Sequence, residues 1–332
     1  MTNEVSVFCD DVEIISKVFG SSDSNAKKIE NELGGTLVNR DLEIKVSGAD
    51  ADCVRRAVAL VKHLAATAAM CEYIDSTRVD YAIAMSAEGK LSEISGLDSE
   101  CICITPKGKP IKAKTVGQKN YVDAIRKNTI NFGVGPAGTG KTYLAVAMAV
   151  TALRNREVDR IILTRPAVEA GEKLGFLPGD LQTKIDPYLR PLYDALYEML
   201  GVESFQRHLE KGTIEVAPLA YMRGRTLDGA FIILDEAQNT TPEQMKMFLT
   251  RLGFNSKMVI TGDVTQIDLP DSKHSGLVEA TKILKNVDDI SVVRFSEKDV
   301  VRHKLVQDIV KAYERYNEQH RNNTEGKAER KW

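Results

Sequence analysis

Eight consecutive residues near the middle of the chain, Gly135-Pro136-Ala137-Gly138-Thr139-Gly140-Lys141-Thr142, have the types and order that hold a polyphosphate. They fit the pattern G-x-x-x-x-G-K-[ST]. Glycines let successive backbone N–H groups turn inward onto anionic oxygens. From its place in the pattern Lys141 reaches β- and γ-phosphates, and the Thr142 hydroxyl ligates Mg2+. All eight are therefore candidate ATP-binding residues, Lys141 a catalytic one as well and Thr142 a metal ligand.

A second set follows an apolar run, Phe231-Ile-Ile-Leu234-Asp235-Glu236-Ala237-Gln238. Asp235 is placed to hold Mg2+ through its water shell, and Glu236 to orient and deprotonate an attacking water. A third is Gly262-Asp263-Val-Thr-Gln266, where the Gln266 amide can sense a γ-phosphate. Gln118 lies 23 residues before Lys141 at an expected helix start. Its amide can pair with N6 and N7 of adenine, or it is a surface glutamine. Arg223 and Arg225 around Gly224 suit phosphate oxygens or a solvated turn. Residues 167–179, after Arg165-Pro166, are too rich in glycine and charge for a core element and read as a functional loop. Tyr188, Tyr193 and Tyr197 could stack bases, although the last pair, at i and i+4, suits core packing better.

These residues need a scaffold, and the surrounding pattern supplies one. Residues 130–134, 160–164, 231–234 and 257–261 are short continuous apolar runs, as in strands buried on both faces. Residues 143–153 read as a helix whose positive end faces the phosphates. Thr241-Pro-Glu-Gln244 and Ser296-Glu-Lys-Asp299 read as helix starts, the second capping the final helix. Pro187 and Pro191 read as kinks or element starts. Ahead of this α/β part, residues 1–75 alternate short helical and strand patterns in an α-β-β-α order similar to a K-homology (KH) RNA-binding fold. Its G-x-x-G position reads Gly20-Ser-Ser-Asp23, with an acid where the second glycine belongs, so RNA binding stands beside docking or oligomerisation. Residues 76–117 read as a connecting segment with short strands, one at 80–85 and another at 100–105.

Composition narrows the classes. The chain has 332 residues and a formal charge of −2, which hides an asymmetry. Residues 1–110 carry 12 Lys and Arg against 18 Asp and Glu, net −6, and the remainder carries 33 against 29, net +4. A polyanion should therefore prefer the later two-thirds. Five scattered cysteines at 9, 53, 71, 101 and 103 lack zinc spacing and fit buried thiols in a reducing cytoplasm. No apolar run is long enough to span a bilayer, and no signal peptide is expected.

The phosphate loop, Asp-Glu-Ala-Gln and Thr-Gly-Asp-x-x-Gln in this order resemble a superfamily 1 helicase core. The longer blocks 135–150, 164–196, 217–225, 231–252 and 261–270, with Asp299-Val-Val-Arg302-His303, resemble the PhoH-like ATPase family. The likeness covers roughly residues 10–316. It implies a RecA-like P-loop NTPase, a parallel sheet with helices on both faces, over residues 118–316, followed by a polar tail at 317–332. It also implies Mg2+-dependent ATP hydrolysis linked to RNA. The chain looks most like the family member encoded beside a YbeY-like endoribonuclease, which implies that nuclease as a partner and a role in ribosomal RNA maturation. Only 62 residues follow Pro270, too few for a second RecA-like domain. A homo-oligomer, a hexameric ring being one form, would then supply the missing arginine from a neighbour. Arg302, Arg294 and Arg225 are the candidates. The alternative function is an ATP-switched scaffold that recruits a nuclease or ribosomal partner. A small-molecule kinase fits the acid pair and Gly-Asp-x-x-Gln poorly.

Overall fold

The computed structural model describes residues 3–71, 73–97, 100–166, 181–270, 272, 274–302, 305, 306, 308–310, 312, 313 and 316, with the backbone alone for 181–188. The chain divides into two compact units, one made of Met1–Leu91 and Val301–Trp332, the other of Ser92–Val300.

The first unit is α+β. Strand β1 (Asn3–Phe8) precedes helices α1 (Val12–Phe19) and α2 (Ser24–Leu33), the hairpin β2 (Gly35–Arg40) and β3 (Glu43–Gly48), then α3 (Ala51–Met70) and α4 (Ser76–Ala87). The strands form an antiparallel sheet in the order β1-β3-β2. Asp11 and Asp50 start α1 and α3 by accepting the Glu13 and Asp52 N–H groups. The stripe Val54, Ala57, Leu60, Val61 and Leu64 then buries one face of α3.

Residues 80–85 are not the expected strand. They lie inside α4, where Val79, Ala82, Ile83 and Ser86 are buried at helical spacing. Asp75 caps the helix by accepting the Arg78 N–H at 2.8 Å, and Lys28 of α2 pairs with Asp80 at 2.7 Å. The boundary therefore falls after Leu91 rather than at residue 75.

The second unit starts with the short hairpin β4 (Cys103–Ile104) and β5 (Pro110–Ile111), then α5 (Val116–Lys127), β6 (Ile130–Val134), α6 (Lys141–Arg154) and β7 (Arg160–Arg165). Helices α7 (Leu181–Leu200) and α8 (Val202–Glu210) lead to β8 (Ile214–Pro218) and β9 (Ala230–Leu234). Then come α9 (Pro242–Leu249), β10 (Lys257–Gly262), α10 (Gly276–Ile283) and β11 (Ile290–Arg294). Residues 100–117 belong here: Ile102, Cys103 and Ile111 join this unit's core. Pro187 and Pro191 fall within α7 and break it into no separate elements.

The sheet has six parallel strands in the order β11-β6-β10-β9-β7-β8. Strand alternation sends side chains to both faces. Phe231 and Ile233 of β9 join the core that includes Leu144, Val146, Leu192, Leu196 and Phe205, from α6, α7 and α8. Ile232 and Leu234 meet Met245 and Phe248 of α9 and Leu277 of α10 on the other face. Both faces are covered, so the strands read as unbroken apolar runs. This is the RecA-like α/β arrangement.

The box Ser296–Asp299 forms, but it caps a single 3-10 turn (Glu297–Asp299) rather than the final helix. Asp299 is buried and accepts from Thr115 Oγ1 at 2.7 Å, Gly117 N at 3.2 Å and Ser296 N at 2.9 Å, tying the end of β11 to the start of α5. A Cβ on Gly117 would sit 2.4 Å from that carboxylate. Beyond it, Leu305, Ile309 and Tyr316 are exposed and fall in the first unit. Asp299→Ala strands these donors and should lower stability by about 1–3 kcal/mol in urea unfolding. A change within error would show that water replaces the carboxylate.

Candidate active site

Strand β6 delivers the chain into the loop, and α6 carries it away. Gly140 caps α6 with φ +78° and no side-chain bond, so the first amides of the helix stay available to an anion. Gly138 has φ +86°. At Gly135 (φ +155°) a Cβ would lie 2.6 Å from Phe295 Cβ and 2.7 Å from its carbonyl oxygen. Glycine is required there because the loop passes against the end of β11. Lys141 folds back, its ammonium donating to the carbonyls of Gly135 (2.7 Å) and Pro136 (2.8 Å). Thr139 Oγ1 donates to Pro136 O at 3.0 Å and closes the turn.

The acid pair ends β9, two strands from β6, with β10 between them. Asp235 Oδ1 accepts from Thr142 Oγ1 at 2.6 Å and from Thr261 Oγ1 at 2.8 Å. Glu236 adopts a left-handed backbone, φ +52°, at the turn that presents it. Its Oε2 accepts from Gln238 Nε2 at 2.6 Å, and its Oε1 lies 2.9 Å from Arg165 Nη2. Buried Gln238 also accepts from Asp263 N and donates to Gln266 O. Asp263, itself buried, accepts from the loop amide of Ala137 at 3.0 Å. A cavity of about 260 Å³ is lined by Gly138, Lys141, Thr142, Asp235, Glu236 and Gln266, among others.

Hard oxygen donors and one carboxylate, Thr142 and Asp235, suit a metal that keeps most of its water and takes other ligands from phosphates. Thus these residues fit Mg2+ with a nucleotide. No group of three or more His, Cys, Asp or Glu that could hold a metal occurs among the described residues. Three acids, Asp235, Glu236 and Asp263, line this cavity together with Lys141, a local excess of negative charge that a divalent cation would offset. Behind it, burial and then the Asp235 charge push the Tyr121 hydroxyl well above its usual pKa. That ring packs where a Cβ on Gly133 would be 2.7 Å away.

Loop, acid pair and Gln266 thus converge. Gln118 is buried, its amide accepting from Lys114 N at 2.7 Å and donating to Thr139 O at 3.0 Å, so it braces the loop from behind. Arg225 is held by Glu215 at 2.6 and 2.8 Å, which raises its pKa further. Arg223 and Arg294 are exposed. Arg302 falls in the other unit. Tyr193 and Tyr197 pack edge-on against Phe205, with centroids 5.9 and 4.8 Å away, as core packing requires. Residues 167–179 and the Tyr188 side chain lie outside the described residues.

Arg165, Gln238, Thr261 and Asp263 carry roles that sequence reading did not assign. Three of them sit inside or beside quoted motifs, which was the available signal. Gly135→Ala should lower stability by about 1–3 kcal/mol through strain against Phe295 and abolish binding of a fluorescent ATP analogue. Normal binding in that variant would mean the loop can shift away from β11.

A sequence profile described as PhoH-like protein matches residues 110–314. A PhoH-like protein of Bacillus subtilis (strain 168) is 54% identical over 300 residues, 90% of this chain and 94% of the relative. One from Mycobacterium tuberculosis (strain ATCC 25618 / H37Rv) is 54% identical over 309 residues, 92% and 86% of the two chains. Protein PhoH of Escherichia coli (strain K12) is 48% identical over 206 residues, 61% and 58%.

Proposed function

The chain belongs to the PhoH-like family of P-loop ATPases, and on that premise we propose that it hydrolyses ATP with Mg2+ and couples hydrolysis to binding and remodelling RNA. The observation that carries the hydrolytic part is the meeting of Thr142 and Asp235 beside Glu236 on one cavity, with Thr261 also bonded to Asp235. The loop amides and Lys141 take the phosphates. Thr142 and Asp235 hold Mg2+, which neutralises charge on the triphosphate. Glu236 orients the water, and Gln266 reads the γ-phosphate at the cavity rim.

The RNA part draws on the net charge of +4 beyond residue 110 and on the family. The first unit supports it through its order. Strand, two helices, two strands and a helix follow each other in the order of a KH-like domain, although Gly20-Ser-Ser-Asp23 between the first two helices lacks the second glycine of its loop. The proposed work is in the cytoplasm, on ribosomal RNA, with a YbeY-like endoribonuclease, as the family resemblance implies. Self-assembly, a hexameric ring being one form, brings Arg302 of a neighbour to the γ-phosphate. A second reading, an ATP-switched scaffold for a nuclease or ribosomal partner, is favoured by the net −6 of residues 1–110, which repels RNA.

ATP turnover with and without single-stranded RNA separates the two. Stimulation of about tenfold, or about 1.4 kcal/mol of barrier, is expected for the RNA-coupled enzyme. A rate indifferent to RNA favours the scaffold. Glu236→Gln should bind ATP and lose about a hundredfold or more in turnover, and unchanged turnover would remove Glu236 as the base. Arg302→Ala should bind ATP but hydrolyse slowly. Full turnover there would remove Arg302 as the cation in trans.

A further inference from the structure

Arg165 ends β7, and β7 pairs directly with β9, Thr164 opposite Leu234. This register brings the guanidinium to the acids that follow Leu234. Its Nη2 is 2.9 Å from Glu236 Oε1 and its Nε 3.9 Å from Asp235 Oδ2. The Arg165 side chain is 18% exposed and that of Asp235 10%, so water screens the contact only partly. Glu236 lines the phosphate cavity, whereas Arg165 is not among its lining residues. The contact therefore holds the Glu236 carboxylate toward β7.

The reaction asks the opposite of Glu236. As general base it must face the water at the γ-phosphate and accept its proton. Accepting it neutralises the carboxylate and forfeits the attraction to Arg165. Asp235 is the shared element, because its Oδ1 meets the Thr142 and Thr261 hydroxyls while its Oδ2 faces Arg165. A dication held by Thr142 and Asp235 would add positive charge to the carboxylate that faces the guanidinium, and like charges repel.

We propose that Arg165 is a positioning residue that restrains Glu236: it holds the base toward β7, and its hold would weaken once Asp235, the acid it also faces, bound a divalent cation together with the triphosphate. The proposal rests on the ATPase reading. It deepens it by making hydrolysis conditional on the metal as well as on the nucleotide.

The test uses the full chain as wild type, Arg165→Gln and Arg165→Lys, with two readouts. One is steady-state turnover of Mg2+·ATP. The other is the Mg2+ concentration that half-saturates binding of a fluorescent, non-hydrolysable ATP analogue, which needs no turnover. Arg165→Gln should raise kcat at least about fivefold with KM nearly unchanged. It should also lower the Mg2+ midpoint at least about threefold, because a competing cation is gone. Arg165→Lys retains the charge and should stay within about twofold of wild type on both readouts. Arg165→Met keeps the apolar stem and takes the place of Arg165→Gln should the latter fail to fold. A kcat that is unchanged or lower, or a Mg2+ midpoint that does not move, overturns the proposal. A wild-type protein without Mg2+-dependent hydrolysis would sink the ATPase reading itself, which is a different result.

Discussion

The site depends on one strand lying between two others. β10 separates β6, which leads into the phosphate loop, from β9, which ends in the acid pair. Parallel strands of matched register end at one level, so the loop, Thr261 and Asp235 share an edge. Gly135 N donates to Gly262 O at 3.1 Å, and Thr261 Oγ1 donates to Asp235 at 2.8 Å. β10 therefore sets the distance between the glycine-rich loop and Asp235. Its own continuation, Asp263 to Gln266, is then within reach of both sides. A large residue at Gly262 would meet Leu277 at 2.4 Å and Gln238 at 2.8 Å. The strand end must stay small for the two halves of the site to close on it.

That geometry gives the buried polar groups a purpose. Gln238 is 1% exposed and bridges three things: the carboxylate of Glu236, the amide of Asp263 and the carbonyl of Gln266. Burying an amide is tolerable only when its bonds are made. Here they are made between the part that would activate water and the part that would read the γ-phosphate. Asp263 extends the chain of bonds to Ala137 in the loop. Gln266 and Glu236 are thus linked through one buried side chain.

Much of this was legible before any coordinates. The strands were readable because both faces of the sheet are covered, so β6, β7, β9 and β10 are continuous apolar runs. The cap at Thr241 was readable because Pro242 and Gln244 leave few other conformations. Residues 80–85 misled because Tyr81, Ile83 and Met85 alternate as in a strand, while the signal that decides the matter, the cap at Asp75, lies five residues upstream. Ser296–Asp299 gave the right hydrogen bonds and the wrong helix, since a capping box fixes where a turn starts and says nothing of its length. At the site, residues within one motif were legible. Contacts such as Arg165 with Glu236 depend on which strands are neighbours, and spacing along the chain does not encode strand order.

Gln118 sits against the loop, with its amide bonded to the chain itself. Its distance from the loop in sequence suggests a base-reading amide, and the structure does put it against the loop, behind Thr139 and Gly140. Yet the amide is buried, with both ends already used by the chain. Thr115 accepts the Gln118 N–H at 3.1 Å and donates to Asp299 at 2.7 Å. The loop is therefore braced through Gln118 and Thr115 to the last turn after β11, next to Val300, where the second unit ends. A glycine-rich loop gains phosphate affinity only if its amides are held in place beforehand. In this chain the holding is done from outside the motif, by a glutamine that the motif does not name.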